Sequence, residues 1–323
     1  MKNWHRRRAC LAAVAVLSSA SVGAQTEYPT QAIKMIVPFT PGSTSDIAAR
    51  AIAQKIQGPL GQPVVVENRP GANGAIGMQA VAKAKPDGYT LVVGSISSTA
   101  VPAAIMRNPP FDLFKDFMPV SVIAGTTLML VVPKESPLDS LAALVDAAKK
   151  APGRLSYANS AGLYLLAMES LKLQAGIDLT AVAYKGPAEA TTDLLGGNLS
   201  VQPDSLGAAT RLIQAGKTKA LAVLSGTRTP VLPEIPTMQE LGYKDFDFNG
   251  WIGVLAPAGT PPAIVERLHR EMAAAIASPD VQRVYAGAAL DAVAMSPARY
   301  RELLERETAK YQRIVEQARI PKQ

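Results

Sequence analysis

The chain has 323 residues and a formal net charge of +7, with 48% hydrophobic and 18% charged residues. That composition describes a folded, soluble chain long enough for two cores, and it excludes intrinsic disorder. Aromatic residues make up only 5%, too few for the stacking platforms of a single-stranded nucleic-acid binder.

The first segment is set apart by its charge. Lys2, Arg6, Arg7 and Arg8 precede an apolar, small-residue run from Ala9 to Val22, and Val22-Gly23-Ala24 has the form of a cleavage site. Together they read as a secretory signal peptide over residues 1–24. The run is too short for a comfortable membrane span. Cleavage after Ala24 lowers the net charge from +7 to +3, which removes the main support for a polyanion partner. It also removes His5 and Cys10, the only cysteine. The exported chain is then expected to hold no disulfide, no thiolate metal site and no cysteine nucleophile. His269 is its one histidine.

Beyond residue 25 a unit recurs: a β-branched run, a Gly/Ser/Pro loop, then a helical pattern. Residues 33–39 read as a strand, 41–45 as a loop and 46–57 as a helix. A strand at 63–67, a glycine-rich turn at 68–77 and a helix at 78–84 follow. Another strand at 90–93 runs into Ser95-Ile96-Ser97-Ser98-Thr99. Strands are expected at 120–124 and 128–132, and a helix at 139–148. The unit then repeats through strands near 155–157, 180–183, 199–202 and 219–224, each but the last followed by a helix. A strand at 251–256 precedes two helices, with Thr260-Pro261 and Ser296-Pro297 as start signals. Such alternation predicts an α/β protein with largely parallel sheets. Two cores are expected, one from 25–124 plus 246–323 and one from 125–245.

Strand–loop–helix junctions are where such a fold does chemistry, because helix N-termini present unpaired N–H groups and the positive end of the helix dipole. Pro41-Gly42-Ser43-Thr44-Ser45-Asp46 is the best example, either an ordinary turn capped by Asp46 or part of an anion site. Asp204 either caps the next helix or reaches a cleft and selects a ligand's donor group. Lys185 and Arg69 are loop cations able to pair with a carboxylate. Nucleotide motifs do not fit. Gly71, Gly74 and Gly77 have the wrong spacing for a dinucleotide loop, and Gly216-Lys217-Thr218 is preceded by Arg211 where a phosphate loop needs glycine. His269 reads as part of a solvated helix face.

Several motifs resemble one family in order along the whole exported chain. They are Tyr28-Pro29 with Ile36-Val37-Pro38-Phe39 and Pro41-Gly42, then Gly61-Gln62-Pro63 through Glu67-Asn68-Arg69-Pro70-Gly71-Ala72, then Pro86-Asp87-Gly88-Tyr89. Tyr184-Lys185-Gly186, Asp193-Leu194-Leu195-Gly196-Gly197 and Gly253 through Pro261 complete the set. The chain resembles the substrate-binding proteins of tripartite tricarboxylate transporters, the Bug/TctC family. The resemblance implies a periplasmic binding protein fold of type II, two α/β domains with a hinge and a ligand cleft between them. It implies a monomer without cofactor, metal or catalytic residues, which captures a small organic carboxylate and delivers it to a membrane permease. The ligand-binding residues it points to are Phe39, Thr40, Gly42, Ser43, Ser45 and Asp46, then Ser95, Ser97 and Thr99. From the opposite domain come Ser160, Ala161, Gly162, Tyr164 and Asp204. The second-domain loop is shortened, with Leu163 and Tyr164 near the cleft, so a ligand with an apolar or aromatic body is expected. Two other functions compete with this reading. One is a ligand-loaded partner of a membrane sensor. The other is an exported α/β hydrolase, which would need a nucleophile elbow that is absent and His269 as its base.

Overall fold

The computed structural model describes residues 28–184 and 186–322. The expected signal peptide with His5 and Cys10, and the loop cation Lys185, lie outside the described residues. Among the described residues no helix is long and apolar enough to cross a membrane.

The larger lobe is built on a five-stranded sheet in the order β2-β1-β3-β10-β4. Its strands are β1 (Ile33–Val37), β2 (Val64–Asn68), β3 (Thr90–Ser95), β4 (Phe117–Thr126) and β10 (Gly250–Pro257). β1 runs parallel to β2 and β3, while β10 runs antiparallel to both β3 and β4. Side chains alternate across the sheet. Ile33, Met35 and Val37 join a core with α1 (Thr44–Leu60), α8 (Pro262–Ile276) and α9 (Pro279–Gly287) on one face. Ile36 and Val92 join a core with α2 (Ala75–Ala82), α3 (Ala100–Ile105) and α10 (Pro297–Gln317) on the other.

α1 shows why these residues form these elements. Ser43 caps it by accepting the Asp46 N–H, and Ala48, Ala49, Ile52, Ala53 and Ile56 make one buried stripe. Gly61 ends it in the left-handed conformation, φ 69°. Ser296 caps α10 in the same way, accepting the Arg299 N–H.

The smaller lobe holds a three-stranded antiparallel sheet, β8-β5-β9, and a parallel pair, β6-β7. These are β5 (Leu128–Pro133), β6 (Ser156–Asn159), β7 (Thr180–Ala183), β8 (Gln202–Ser205) and β9 (Thr218–Val223), packed with α4 (Leu141–Lys150), α5 (Gly162–Ala175), α6 (Pro187–Leu195) and α7 (Leu206–Gln214). A bridge between Tyr157 and Val201 links the parallel pair toward β8.

Several expectations need correction. The sheets are mixed, with antiparallel pairings at β3–β10–β4 and throughout β8-β5-β9. The chain leaves the larger lobe along β4 and returns along β10, so the two crossing strands pair antiparallel. Two helices were missed. α3 is uniformly apolar apart from its proline, Pro102, and has no polar face to give a period. α9 begins at Ser278-Pro279, the same start signal as α10. Thr260 does not cap α8. Its hydroxyl donates back to the Pro257 carbonyl at 2.8 Å, and Pro261 occupies the cap position. His269 is half-buried, with Nδ1 3.2 Å from Oγ of the fully buried Ser121. It belongs to packing between α8 and β4 and not to a solvated face.

The cores are not separate either. One cluster runs from Val92 and Phe117 in the larger lobe through Leu128, Leu130 and Tyr157 to Leu166 and Leu171 in the smaller one. Tyr300, Tyr311 and Ile314 of α10 belong to it, and α10 packs on α3, β4 and α5.

Candidate functional site

The loops after β1, β2 and β3 converge at one end of the larger lobe. Gly74 marks the meeting point. Its φ is +93°, and a Cβ there would lie 2.8 Å from Ser98 Cβ, 3.4 Å from Pro38 Cβ and 3.6 Å from the Phe39 ring. Gly77 is equally constrained, since its Cβ would fall 2.9 Å from the Pro38 backbone. The spaced glycines of this turn therefore let three loops pack together.

Asp46 is the tie of the first loop. It is 4% exposed. Its carboxylate accepts the Gly42 N–H at 2.9 Å, Asn68 Nδ2 at 2.8 Å and Arg50 Nε at 3.0 Å. Burial works against the charge, but the hydrogen bonds from Arg50, Gly42 and Asn68 outweigh it and hold the carboxyl below its ordinary 3.8. Asn68 also donates to the Phe39 carbonyl at 3.0 Å. Asp46 thus spends its lone pairs on shaping the loop that carries Phe39, Thr40, Gly42, Ser43 and Ser45. Phe39 is half-buried, Thr40 and Gly42 are exposed, and Ser45 is buried. The Ser43 hydroxyl is used as the α1 cap.

The third loop is also self-satisfied. Ser95 and Ser98 cap one another reciprocally. Thr99 is fully buried and its hydroxyl donates to the Ser95 carbonyl at 2.7 Å. Ser97 is half-buried on the same turn.

The smaller lobe presents a different chemistry. The loop after β6 leads through Ser160 and Ala161 into α5, whose cap position, Ala161, makes no side-chain cap. The Tyr164 and Leu165 N–H groups both donate to the Ala161 carbonyl, at 2.9 and 3.1 Å. Ser160 Oγ is buried without a hydrogen-bond partner. Asp204, at the end of β8, is 1% exposed. One carboxylate oxygen accepts the Ser205 N–H at 2.8 Å, and the other is buried without a partner. Burial raises its carboxyl from 3.8 to about 6, and the Ser205 N–H and Arg211 only partly oppose this. Asp204 does not cap α7; Ser205 holds that position. Tyr164 is buried, and that burial, with the Asp204 charge nearby, pushes its hydroxyl well above the ordinary 10. Leu163 and Tyr164 both pack into the shared core.

The two lobes touch at these loops. A Cβ on Gly162 would lie 2.6 Å from Val101 Cγ1 of α3, and one on Gly207 2.6 Å from Ala289 Cβ. Gly42 and Thr44 at the start of α1 face Ser205, Gly207 and Arg211 of α7 across a crevice of about 390 Å³. Asn68, Arg50, Gly74, Val101 and Arg211 were not among the expected site residues. Asn68 stood in the Glu67-Asn68-Arg69-Pro70-Gly71 motif. The contact of Val101 with Gly162 had no sequence signal. Arg69 is paired with Glu67 at 2.6 Å.

A family profile described as "Tripartite tricarboxylate transporter family receptor" matches residues 48–320. The chain is 39% identical over 300 residues to protein BugT of Bordetella pertussis, covering 92% of each chain. Among solved structures it is similar to R. palustris Rpa4515 with adipate, with a TM-score of 0.79 and 35% identity over 90% of this chain and 98% of that one. It is also similar to MatC from Rhodopseudomonas palustris with bound malate, with a TM-score of 0.75 and 28% identity over 89% of this chain and all of the other. These solved relatives are solute-binding proteins of two α/β domains, and this chain shares their fold. The chain belongs to the tripartite tricarboxylate transporter receptor family of periplasmic solute-binding proteins.

Proposed function

We propose that this protein captures a small organic carboxylate between its two domains and delivers it to the membrane permease of a tripartite transporter, without catalysing a reaction. The domains are 25–124 plus 246–323, and 125–245, and the protein works as a monomer in the periplasm after losing residues 1–24. The observation that carries this reading is the pair of buried, unpartnered polar atoms, Ser160 Oγ and Asp204 Oδ2. Ser160 lies on the loop before α5 and Asp204 near the end of β8, beside the start of α7. Buried polar atoms are normally paired, so a ligand that supplies the partners stabilises the closed form. The adipate and malate held by the two relatives support a carboxylate as that ligand. Ser160, Ala161 and Gly162 face the loop of Gly42, Ser43 and Ser45 in this reading, with Asp204 near the ligand's far end.

The test is a thermal-shift panel of aliphatic, aromatic and amino-acid carboxylates with their amides. An acid at about 100 times its Kd stabilises by about 2.7 kcal/mol, and its amide leaves the midpoint unchanged. Equal shifts from acid and amide would refute carboxylate capture.

A further inference from the structure

Ser160 and Asp204 stand level in the smaller lobe. β6 and β8 run parallel where Tyr157 bridges Val201, and the Ala158 N–H donates to the Val201 carbonyl at 3.2 Å. Three residues further along each segment come Ser160 and Asp204. Both therefore lie at the carboxyl ends of parallel strands, the edge at which α/β sheets hold ligands. α5 and α7 each begin two residues later.

Asp204 is 1% exposed, and only one of its carboxylate oxygens is used, by the Ser205 N–H at 2.8 Å. Among the described residues no donor reaches the other, Oδ2. Its neighbours show why. Met129, opposite Asp204 across the sheet, has no polar hydrogen. Gln202, two residues back on the same face of β8, gives its Nε2 to Thr191 at 2.9 Å. Gln202 Oε1 is itself a second buried acceptor without a donor. The Tyr164 hydroxyl is near enough to feel the Asp204 charge, yet no hydrogen bond joins them. A buried acceptor is normally satisfied, and a charged one left bare is especially costly.

The two level side chains differ in what they can select. Ser160 Oγ is buried without a partner, but a hydroxyl both donates and accepts and serves either kind of ligand atom. An ionised carboxylate only accepts. We propose that Asp204 reads a hydroxyl or amino hydrogen on the ligand, so that the acid captured is a hydroxy- or amino-substituted one. This rests on the carboxylate-capture reading above and sets its ligand class. A second bare carboxylate is kept from Oδ2 by like charge. The donor is required whatever the length or apolarity of the carbon body.

The test uses acids that differ by one substituent: lactate with propionate, malate and aspartate with succinate, and mandelate with phenylacetate. Calorimetric titration of the full chain is run near pH ~7.5, where the Asp204 carboxyl, pushed up to about 6, is ionised. A substituted acid is expected to bind about tenfold to hundredfold tighter than its bare parent, the worth of one hydrogen bond to a charged acceptor. In Asp204→Asn the Ser205 N–H retains the side-chain oxygen, and the amide NH2 takes the place of Oδ2, so a donor faces a donor. There the preference is expected to vanish while the bare parent's affinity is kept, a change of ratio that a merely structural role for Asp204 would not produce. Substituted acids no tighter than their parents would mean that solvent supplies the donor; that result, or a preference that survives in Asp204→Asn, would overturn the proposal and leave carboxylate capture standing. Absence of binding by every acid would overturn both.

Discussion

Replacing Asp204 by Asn removes the charge that the fold holds least comfortably. The carboxylate is 1% exposed and has one oxygen without a partner. Burial raises its carboxyl from 3.8 to about 6, against the pull of the Ser205 N–H and Arg211. A carboxyl that holds its proton more tightly in the folded than in the unfolded chain weakens the fold as it ionises. The cost is absent below 3.8, grows with rising pH, and is complete above about 6. The interval between those values corresponds to about 3 kcal/mol, or several degrees of midpoint for a chain of this size. Asp204→Asn keeps the shape and cannot ionise. The unliganded variant should match the parent's Tm near pH ~4 and exceed it by several degrees near pH ~7.5. Scanning calorimetry of both proteins across that range is the assay. Two curves that stay parallel throughout would refute the argument, because no ionisation cost at Asp204 could then be present.

Gly162→Ala places a Cβ 2.6 Å from Val101 Cγ1 across the lobe contact. Overpacking of about 1–3 kcal/mol falls on the contact between α3 and α5, so urea unfolding of the unliganded variant should show a loss of that size, and an unchanged midpoint would refute it. Asp46→Ala strips the acceptor from Gly42, Asn68 and Arg50. Urea unfolding should show a loss of about 2–3 kcal/mol. The parent's extra stability from Asp46, whose carboxyl lies below 3.8, is present above that value and is lost as pH falls through the lowered one; the variant lacks this component. Ser296→Ala removes the α10 cap and should cost about 1 kcal/mol in the same urea assay, without altering ligand affinity.

Much of the fold was legible because local chemistry and tertiary role agree. Ser43, the Ile52–Ile56 stripe and Gly61 mark α1 from cap to stop, and Ser296-Pro297 marks α10. What was not legible depends on partners distant in sequence. The direction of β10 follows from where the chain re-enters the larger lobe, and nothing in its eight residues records that. Thr260 has the chemistry of a cap, yet its hydroxyl finds the Pro257 carbonyl first. His269 lies among charged neighbours, but its ring turns toward Ser121. At the candidate site, residue type and position singled out Asp46 and Asp204, each as a cap or a ligand contact, and the family resemblance added Ser160. Sequence could not tell a carboxylate consumed by its own loop, as at Asp46, from one left half-satisfied, as at Asp204. That distinction is set by Asn68 and Arg50 on one side and by their absence on the other.

α10 has a consequence for how the molecule comes apart. Its tyrosines sit in a core that also holds Leu128 and Leu130 of β5 and Leu166 and Leu171 of α5. Neither sheet can lose its packing without exposing side chains that the other needs. The two lobes therefore share one fate on heating or in denaturant: they melt in a single cooperative transition, with α10 as the common keel. The same sharing limits how far the cleft can gape, because a wide rotation would tear apolar surface from the side opposite the ligand. Any motion of one lobe against the other is therefore expected to be a small slide over packed leucines and tyrosines.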